Sequence, residues 1–385
     1  MRCDSKTPDR IQELRWSAIL TPFLVSRAIV FALMLLGSFV SVSSPDDLRA
    51  AGVSDDIRAL KIRRIPLYAA LSHLALSADA DRYHQIAVEG YRNPSDRAFF
   101  PGFPLTWRVT AMLSLEYSVT GILISNACYL AALWVLYLLC LEIGCTSSTA
   151  ERAVFYACFY PVSHFFSLPF TESLFFLLSI ATIYLAVSEK WALAGIVGIG
   201  GTATRLVGLM LIPTLAMIWW QHRRRLSPSI VFTAVPVLGF AGFCAYLYAA
   251  YGDALGFLHA QSAYGHSMQL GMALLHYVRR PQYFTPWHFY PLHFASMIIA
   301  GIAISALIWR RNIPLAVYLM GCVAVPLSVD LASMTRYVMG SFPLFIGIAY
   351  LTENQRTDWC VRAISISLLA VMSLAYGFHF GLAMT

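Results

Sequence analysis

Charged side chains are scarce in this chain, so the few that fall inside or beside apolar runs mark where chemistry can be done. The stretch "ADADRYHQIAVEGY" (Ala78 to Tyr91) carries two carboxylates, Asp79 and Asp81. On a helix, residues two apart point roughly 200° apart, so only one of them can face a site while the other faces solvent or caps the helix. A carboxylate at an apolar boundary can serve as a general base, an effect typically of ~10² to 10⁴ in rate. Three arginines, Arg27, Arg205 and Arg336, sit within or at the edge of apolar runs. Each costs about 2.5 to 3.5 kcal/mol at the centre of a bilayer and therefore needs a reason. Binding an anion is one reason; an ion pair with Glu172 or Asp330, or snorkelling to the surface, is the other. Glu172, in "FTESLFF", is equally readable as a site residue or as a helix cap acting with Thr171.

The elements that must hold these residues follow from composition. The chain has 385 residues, 58% hydrophobic and 12% charged, with a net charge of +7 and a mean hydropathy of +0.65. Soluble domains carry about 25% charged residues, so one all-α polytopic membrane domain over residues 1–385 is expected. Eleven spans are placed at 17–42, 118–143, 149–168, 170–188, 191–205, 206–220, 229–251, 291–310, 313–330, 336–352 and 361–381. The first is too long for a signal-peptide core and is expected to stay as an anchor. "GIGGTATR" interrupts the hydrophobicity at 191–220 and marks two short or broken helices or one long one. Arg2, Lys6, Arg10, Arg15, Arg152, Lys190, Arg223 to Arg225, Arg310, Arg311, Arg356 and Arg362 fall on one side of eleven crossings, which the positive-inside rule makes cytoplasmic. The long loops 43–117 and 252–290 then face outward. Eight scattered cysteines with no CxxC pair and no His/Cys cluster predict neither a disulfide nor a zinc site. The basic residues lie in short loops, which suits anionic lipid headgroups rather than nucleic acid.

The first loop alternates apolar and polar residues at helical spacing from Ile62 onward, with Leu67, Leu71 and Leu74 on one side and Tyr83 and Ile86 beyond, and reads as interfacial helices. Downstream, "RNPSDRAFFPGFPLTWRV" places Pro101 and Pro104 three apart among aromatic rings, an extended and stiff entry to the membrane. Taken by spacing alone, this is either a polar site opening toward lipid or an aromatic belt with a capping aspartate.

"AFFPGFPL" (Ala98 to Leu105), preceded by "DADRYHQIAVEGY", resembles the first-loop signature of the PIG-V family, the second mannosyltransferases of GPI-anchor synthesis and their shorter bacterial relatives. In that register the motif aspartate is Asp79, and Ala78 stands where the family has tryptophan. "FYPVSHFFSLPFTESLFFLLS", "ATRLVGL", "GDALGFLHAQ" and "RYVMGSFPLF" are similar, in order, to later motifs of the family.

The resemblance implies a GT-C class glycosyltransferase. It implies inverting transfer of mannose from a polyprenyl-phosphate sugar to a lipid-linked or glycan acceptor, on the outer or lumenal side, with Asp79 as base. A departing lipid phosphate needs positive charge in a low-dielectric place, for which Arg205, Arg336 and Arg27 are the candidates. Asp81, Tyr83, Pro101, Glu172, Asp253 and Gln261 are candidates for binding substrate or supporting the site, although "YGD" at Asp253 equally reads as a turn. Outward histidines (His73, His84, His259, His266, His288) are expected to be structural. No cofactor or metal is called for, since arginine can stabilise the phosphate. Partners are donor, acceptor and membrane lipids, in a bacterial cytoplasmic membrane or, for a eukaryotic chain, the endoplasmic reticulum. A transporter or flippase for such a lipid is the competing class; convergence of Asp79, Arg205 and Arg336 on one outward pocket separates the two.

Overall fold

The apolar runs become helices, and their ends fall where proline and glycine make them fall. The computed structural model describes residues 16–42, 60–62, 66–112, 116–222, 227–262, 290–328, 331 and 333–378. Helix α1 (Trp16–Phe39) leads into a two-stranded antiparallel ribbon, β1 (Val40–Val42) with β2 (Leu60–Ile62), in which Val40 pairs with Ile62. The first long loop then forms α2 (Leu67–Ala75), α3 (Asp79–Glu89), a 3-10 turn (Pro94–Ala98) and α4 (Gly102–Ala111). Next come α5 (Tyr117–Glu142), α6 (Ser147–Phe159), α7 (Thr171–Val187), α8 (Trp191–Thr204) and α9 (Leu211–His222). They are followed by α10 (Val231–Ala234), α11 (Val237–Tyr251) and α12 (Gly256–Ser262). The chain closes with α13 (Tyr290–Trp309), α14 (Ile313–Leu327), α15 (Met334–Met339), α16 (Pro343–Leu351) and α17 (Gln355–Gly377).

One apolar core runs from Ile19 in α1 to Tyr376 in α17, with the most extensive packing between α5 and α7, α7 and α8, and α1 and α17. A smaller aromatic cluster (Ile86, Tyr91, Phe100, Phe243, Leu247, Phe257) joins the first long loop to α11 and α12. In α2, Ala70 and Leu74 are buried while Leu67 and Tyr68 stay exposed, so Leu67 does not share the surroundings of Leu74 that the spacing led one to expect.

The expected spans meet the structure unevenly. Four helices, α1, α5, α13 and α17, are long and apolar enough to cross a membrane, and the pair Pro228–Ala234 and Val237–Tyr251, bent by 46°, makes a fifth if it counts as one span. Shorter apolar helices lie at Thr171–Val187, Trp191–Thr204, Leu206–His222 and Ile313–Leu327. The stretch 149–168 is not one helix: α6 ends at Phe159, before the Tyr160–Pro161 pair, because the residue ahead of a proline is pushed out of helical conformation. The stretch 336–352 is likewise two helices, since Pro343 has no N–H to donate and sits at the start of α16 instead of inside a longer helix. At 191–220 the chain forms two helices, with Arg205 extended between α8 and a 3-10 turn at Leu206–Met210. Arg2 to Arg15, Arg223 to Arg225, His266, His288 and Asp330 lie outside the described residues.

Three breaks, at 160–170, 205–210 and 340–342, lie beside the residues that meet near α3: Phe165 and Phe170, Arg205, and Arg336. Irregular backbone at membrane depth is tolerated only where protein or a polar site satisfies its hydrogen bonds. Arg152, Lys190, Arg310, Arg311, Arg356 and Arg362 lie toward the end of the bundle opposite α3, where Arg310 pairs with Glu353, Tyr156 donates to Asp358 Oδ1 and Arg362 pairs with Asp358.

Candidate active site

Asp79 and Asp81 both occupy the first turn of α3, yet their side chains have different partners. Asp81 Oδ2 accepts from Gln85 Nε2 at 2.7 Å along the same helix. Asp79 Oδ2 accepts from Arg336 Nη2 at 2.7 Å, across 257 residues of sequence. The helix is aimed by its neighbours. Tyr83, one turn beyond Asp79, is buried edge-on against Phe99 and Phe103 of the proline-aromatic motif, at 5.2 and 6.0 Å between ring centroids. Burial pushes the Tyr83 hydroxyl well above the ordinary phenol range, so it stays protonated beside the carboxylates. His84 packs against Trp107 and Tyr117, and its burial lowers its affinity for a proton.

The motif is pinned to the broken region through Gly102. A Cβ there would lie 2.3 Å from Thr204 Oγ1 and 2.9 Å from Thr204 Cα, so only glycine allows α4 to touch the end of α8. Pro101 immediately precedes this contact as the first residue outside α4. Gly208 plays the same part inside the break, where a Cβ would meet the Gly201 carbonyl at 2.6 Å.

Arg205, thus placed, donates from Nη1 to Glu172 Oε1 at 2.7 Å and to Thr171 Oγ1 at 3.2 Å, with its guanidinium 4.9 Å from the centre of the Tyr337 ring. Arg336 Nε lies 2.8 Å from the same Glu172 oxygen. Its guanidinium is 5.3 Å from both the Phe165 and the Phe170 ring. Glu172 is completely buried and its Oε2 has no hydrogen-bond partner. The four charged groups therefore form one chain, Asp79, Arg336, Glu172, Arg205. Three are 10% exposed or less, and Asp79, at 38%, is the member open to solvent. Buried charges persist only when paired, and two guanidiniums with two carboxylates meet that condition.

The family model for Mannosyltransferase (PIG-V) matches residues 19–217, more than half of the chain and inclusive of Asp79, Glu172 and Arg205. The chain belongs to the PIG-V mannosyltransferase family. No curated protein matches this PIG-V chain. Among solved structures it is similar to the Archaeoglobus fulgidus oligosaccharyltransferase tethered with an acceptor peptide, at 11% identity and a TM-score of 0.43, covering 96% of this chain and 54% of that one. A second structure of that oligosaccharyltransferase, complexed with zinc and sulfate, gives 11% identity and a TM-score of 0.41 over 94% and 53%. The PIG-V chain spans about half the length of these proteins.

Three expected residues, Asp79, Arg205 and Arg336, converge in this PIG-V chain, with Glu172 as the link between the arginines. Arg27 is a correction. Its guanidinium donates to Ser163 O at 2.7 Å, Ser167 Oγ at 2.8 Å, Ser163 Oγ at 2.9 Å and Cys158 O at 3.0 Å. It thereby satisfies the backbone freed by the break after α6, and it is not brought to the four-charge cluster. Asp253 holds a turn, accepting from Leu255 N–H at 3.1 Å and pairing with His259 at 2.8 Å. Gln261 lies half-buried on α12, which packs on the 3-10 turn at Pro94–Ala98. Sequence reasoning passed over Phe165, Phe170 and Tyr337, whose rings wall the arginines. Their adjacency to "FTESL" and to Arg336 was the available signal. Among the described residues no group of three or more His, Cys, Asp or Glu could hold a metal ion.

Proposed function

We propose that this chain is an inverting glycosyltransferase that moves mannose from a polyprenyl-phosphate donor to a lipid-linked or glycan acceptor on the outer face of the membrane. The observation that carries the reading is the run of Asp79, Arg336, Glu172 and Arg205 at one end of the bundle. The acceptor hydroxyl attacks the anomeric carbon and gives its proton to Asp79; the bond from that carbon to the donor phosphate oxygen breaks, and the electron pair leaves with the phosphate. Arg336 and Arg205 neutralise the growing negative charge. In their apolar surroundings a fixed cation acts with little solvent reorganisation. Family membership supports the mannosyl assignment, and the short-loop basic residues Arg152, Lys190, Arg310, Arg311, Arg356 and Arg362, lying toward the end opposite Asp79, support an outward Asp79 by the positive-inside rule, where a lipid-linked donor would be met rather than a nucleotide sugar.

Incubating the purified protein with labelled polyprenyl-phosphate mannose and a membrane lipid extract tests this. Label should move to a new lipid or glycan product, and labelled GDP-mannose should give none. Transfer from GDP-mannose alone, or no transfer with donor and extract that support it elsewhere, would overturn the reading.

A further inference from the structure

The ion pair between Asp79 and Arg336 conflicts with the roles assigned to each. Asp79 Oδ2 is occupied by Arg336 Nη2 at 2.7 Å and so is not turned toward an acceptor hydroxyl, and the same guanidinium nitrogen is unavailable to a phosphate. Charge counting gives the same result. The two arginines are balanced by Asp79 and Glu172; adding a phosphate anion with both carboxylates still in place leaves an uncompensated negative charge among Phe165, Phe170 and Tyr337, which is unfavourable. One carboxylate must let go. Glu172 cannot, because it is fully buried and a single oxygen of it serves both arginines. Asp79 can, because it is the solvent-open member. Ala78, the residue just before Asp79, has φ +54° and ψ −135°, a conformation that a residue with a Cβ seldom adopts.

Resting on the proposed transferase reading, we infer that the Asp79–Arg336 pair is a latch worked by the donor: the donor phosphate takes the place of the Asp79 carboxylate on Arg336, and the freed carboxylate becomes the base. Glu172, whose Oε1 lies 2.8 Å from Arg336 Nε as an ion pair, stays the charge partner of Arg336 during the exchange and so acts as a positioning residue. Donor binding thus precedes activation of the acceptor, and a donor site without donor keeps its base blocked against stray hydrolysis.

The test is the affinity of the purified full-length protein in detergent for citronellyl phosphate, a short isoprenyl monophosphate, measured by calorimetry. A base that merely lines the site also repels the anion, so its neutralisation would tighten binding whether or not Arg336 is present. The latch requires Asp79→Asn to bind the probe more tightly, by roughly tenfold if the pair is closed in about nine molecules of ten. Asp79→Ala gives the same sign and serves if the asparagine variant does not fold. Asp81→Asn, which removes an equal charge two residues away, shifts affinity by less than about twofold, and this separates the latch from a general gain in positive potential. Arg336→Gln weakens binding, and Asp79→Asn adds nothing in that background because its opponent is gone. Probe binding that depends on Arg336 but does not tighten with Asp79→Asn overturns the latch alone. Failure of Arg336→Gln to weaken binding overturns the phosphate reading as well.

Discussion

Two carboxylates two residues apart and three arginines in apolar sequence looked alike in kind, and their partners separate them. Among the described residues Asp79 reaches Arg336, Asp81 bonds Gln85, and Arg27 donates to backbone and hydroxyl oxygens and lies 5.1 Å from the centre of the Tyr129 ring. Arg27→Gln should therefore lower thermal stability, by about 1 to 3 kcal/mol for each buried acceptor it orphans, while the folded fraction binds citronellyl phosphate with wild-type affinity. Thermal unfolding and calorimetry on the same preparation check both halves, and lost affinity without lost stability would return Arg27 to the phosphate. Glu172→Gln removes the charge that holds two guanidiniums in an apolar place, so a stability loss of roughly 3 to 5 kcal/mol is expected, read in the same melts. The cost of a buried arginine was legible in the sequence, but not which debt it settles: Arg27 serves a break beginning more than 130 residues away, and Arg336 pairs with a carboxylate 257 residues away.

The helices of the first long loop turn those residues into a site. Tyr83, Phe99 and Phe103 interlock α3 with the proline-aromatic motif, and Gly102 seats that motif on Thr204 beside Arg205. Gly102→Ala should push α4 off α8 at a cost of about 1 to 3 kcal/mol, as overpacking does, and should reduce sugar transfer per folded molecule because Asp79 and Arg205 are no longer held together. Activity normalised to the folded fraction checks this, and unchanged specific activity would refute the seating role. The docking of α3 should also respond to acid. Burial lowers the His84 pKa below its ordinary 6.5, so the unfolded state binds the proton first and stability is lost as pH falls below that value. Melting curves of wild type and His84→Phe across pH 5 to 8 should differ in slope on the acid side. Periodicity made the helices of the first long loop legible. It could not show the breaks after Phe159 and at Gly340 to Phe342, since broken and continuous stretches are equally apolar and only Pro161 and Pro343 mark them.

Among the described residues, the breaks and the four-charge cluster occupy one end and the short-loop basic residues Arg152, Lys190, Arg310, Arg311, Arg356 and Arg362 the other. Composition announced a membrane protein; the count of crossings depends on how short, bent and split helices pair up, which hydropathy alone does not encode. If the short-loop basic residues face the cytoplasm as the positive-inside rule requires, single cysteines at Gln261 and Arg311, in a background without reactive native cysteines, should be labelled by an impermeant maleimide from opposite sides of sealed vesicles. Labelling of both from one side would contradict the topology and, with it, access to a lipid-linked donor on the outer face. The central claim is that Asp79 takes the proton in sugar transfer, and it is tested most directly by measuring turnover of labelled polyprenyl-phosphate mannose by wild type, Asp79→Asn and Asp81→Asn. Asp79→Asn keeps size and hydrogen bonding but loses the proton acceptor, so its turnover should fall by roughly 10² or more while Asp81→Asn is much milder. Equal tolerance of the two substitutions, in proteins that fold and bind donor, would contradict the account.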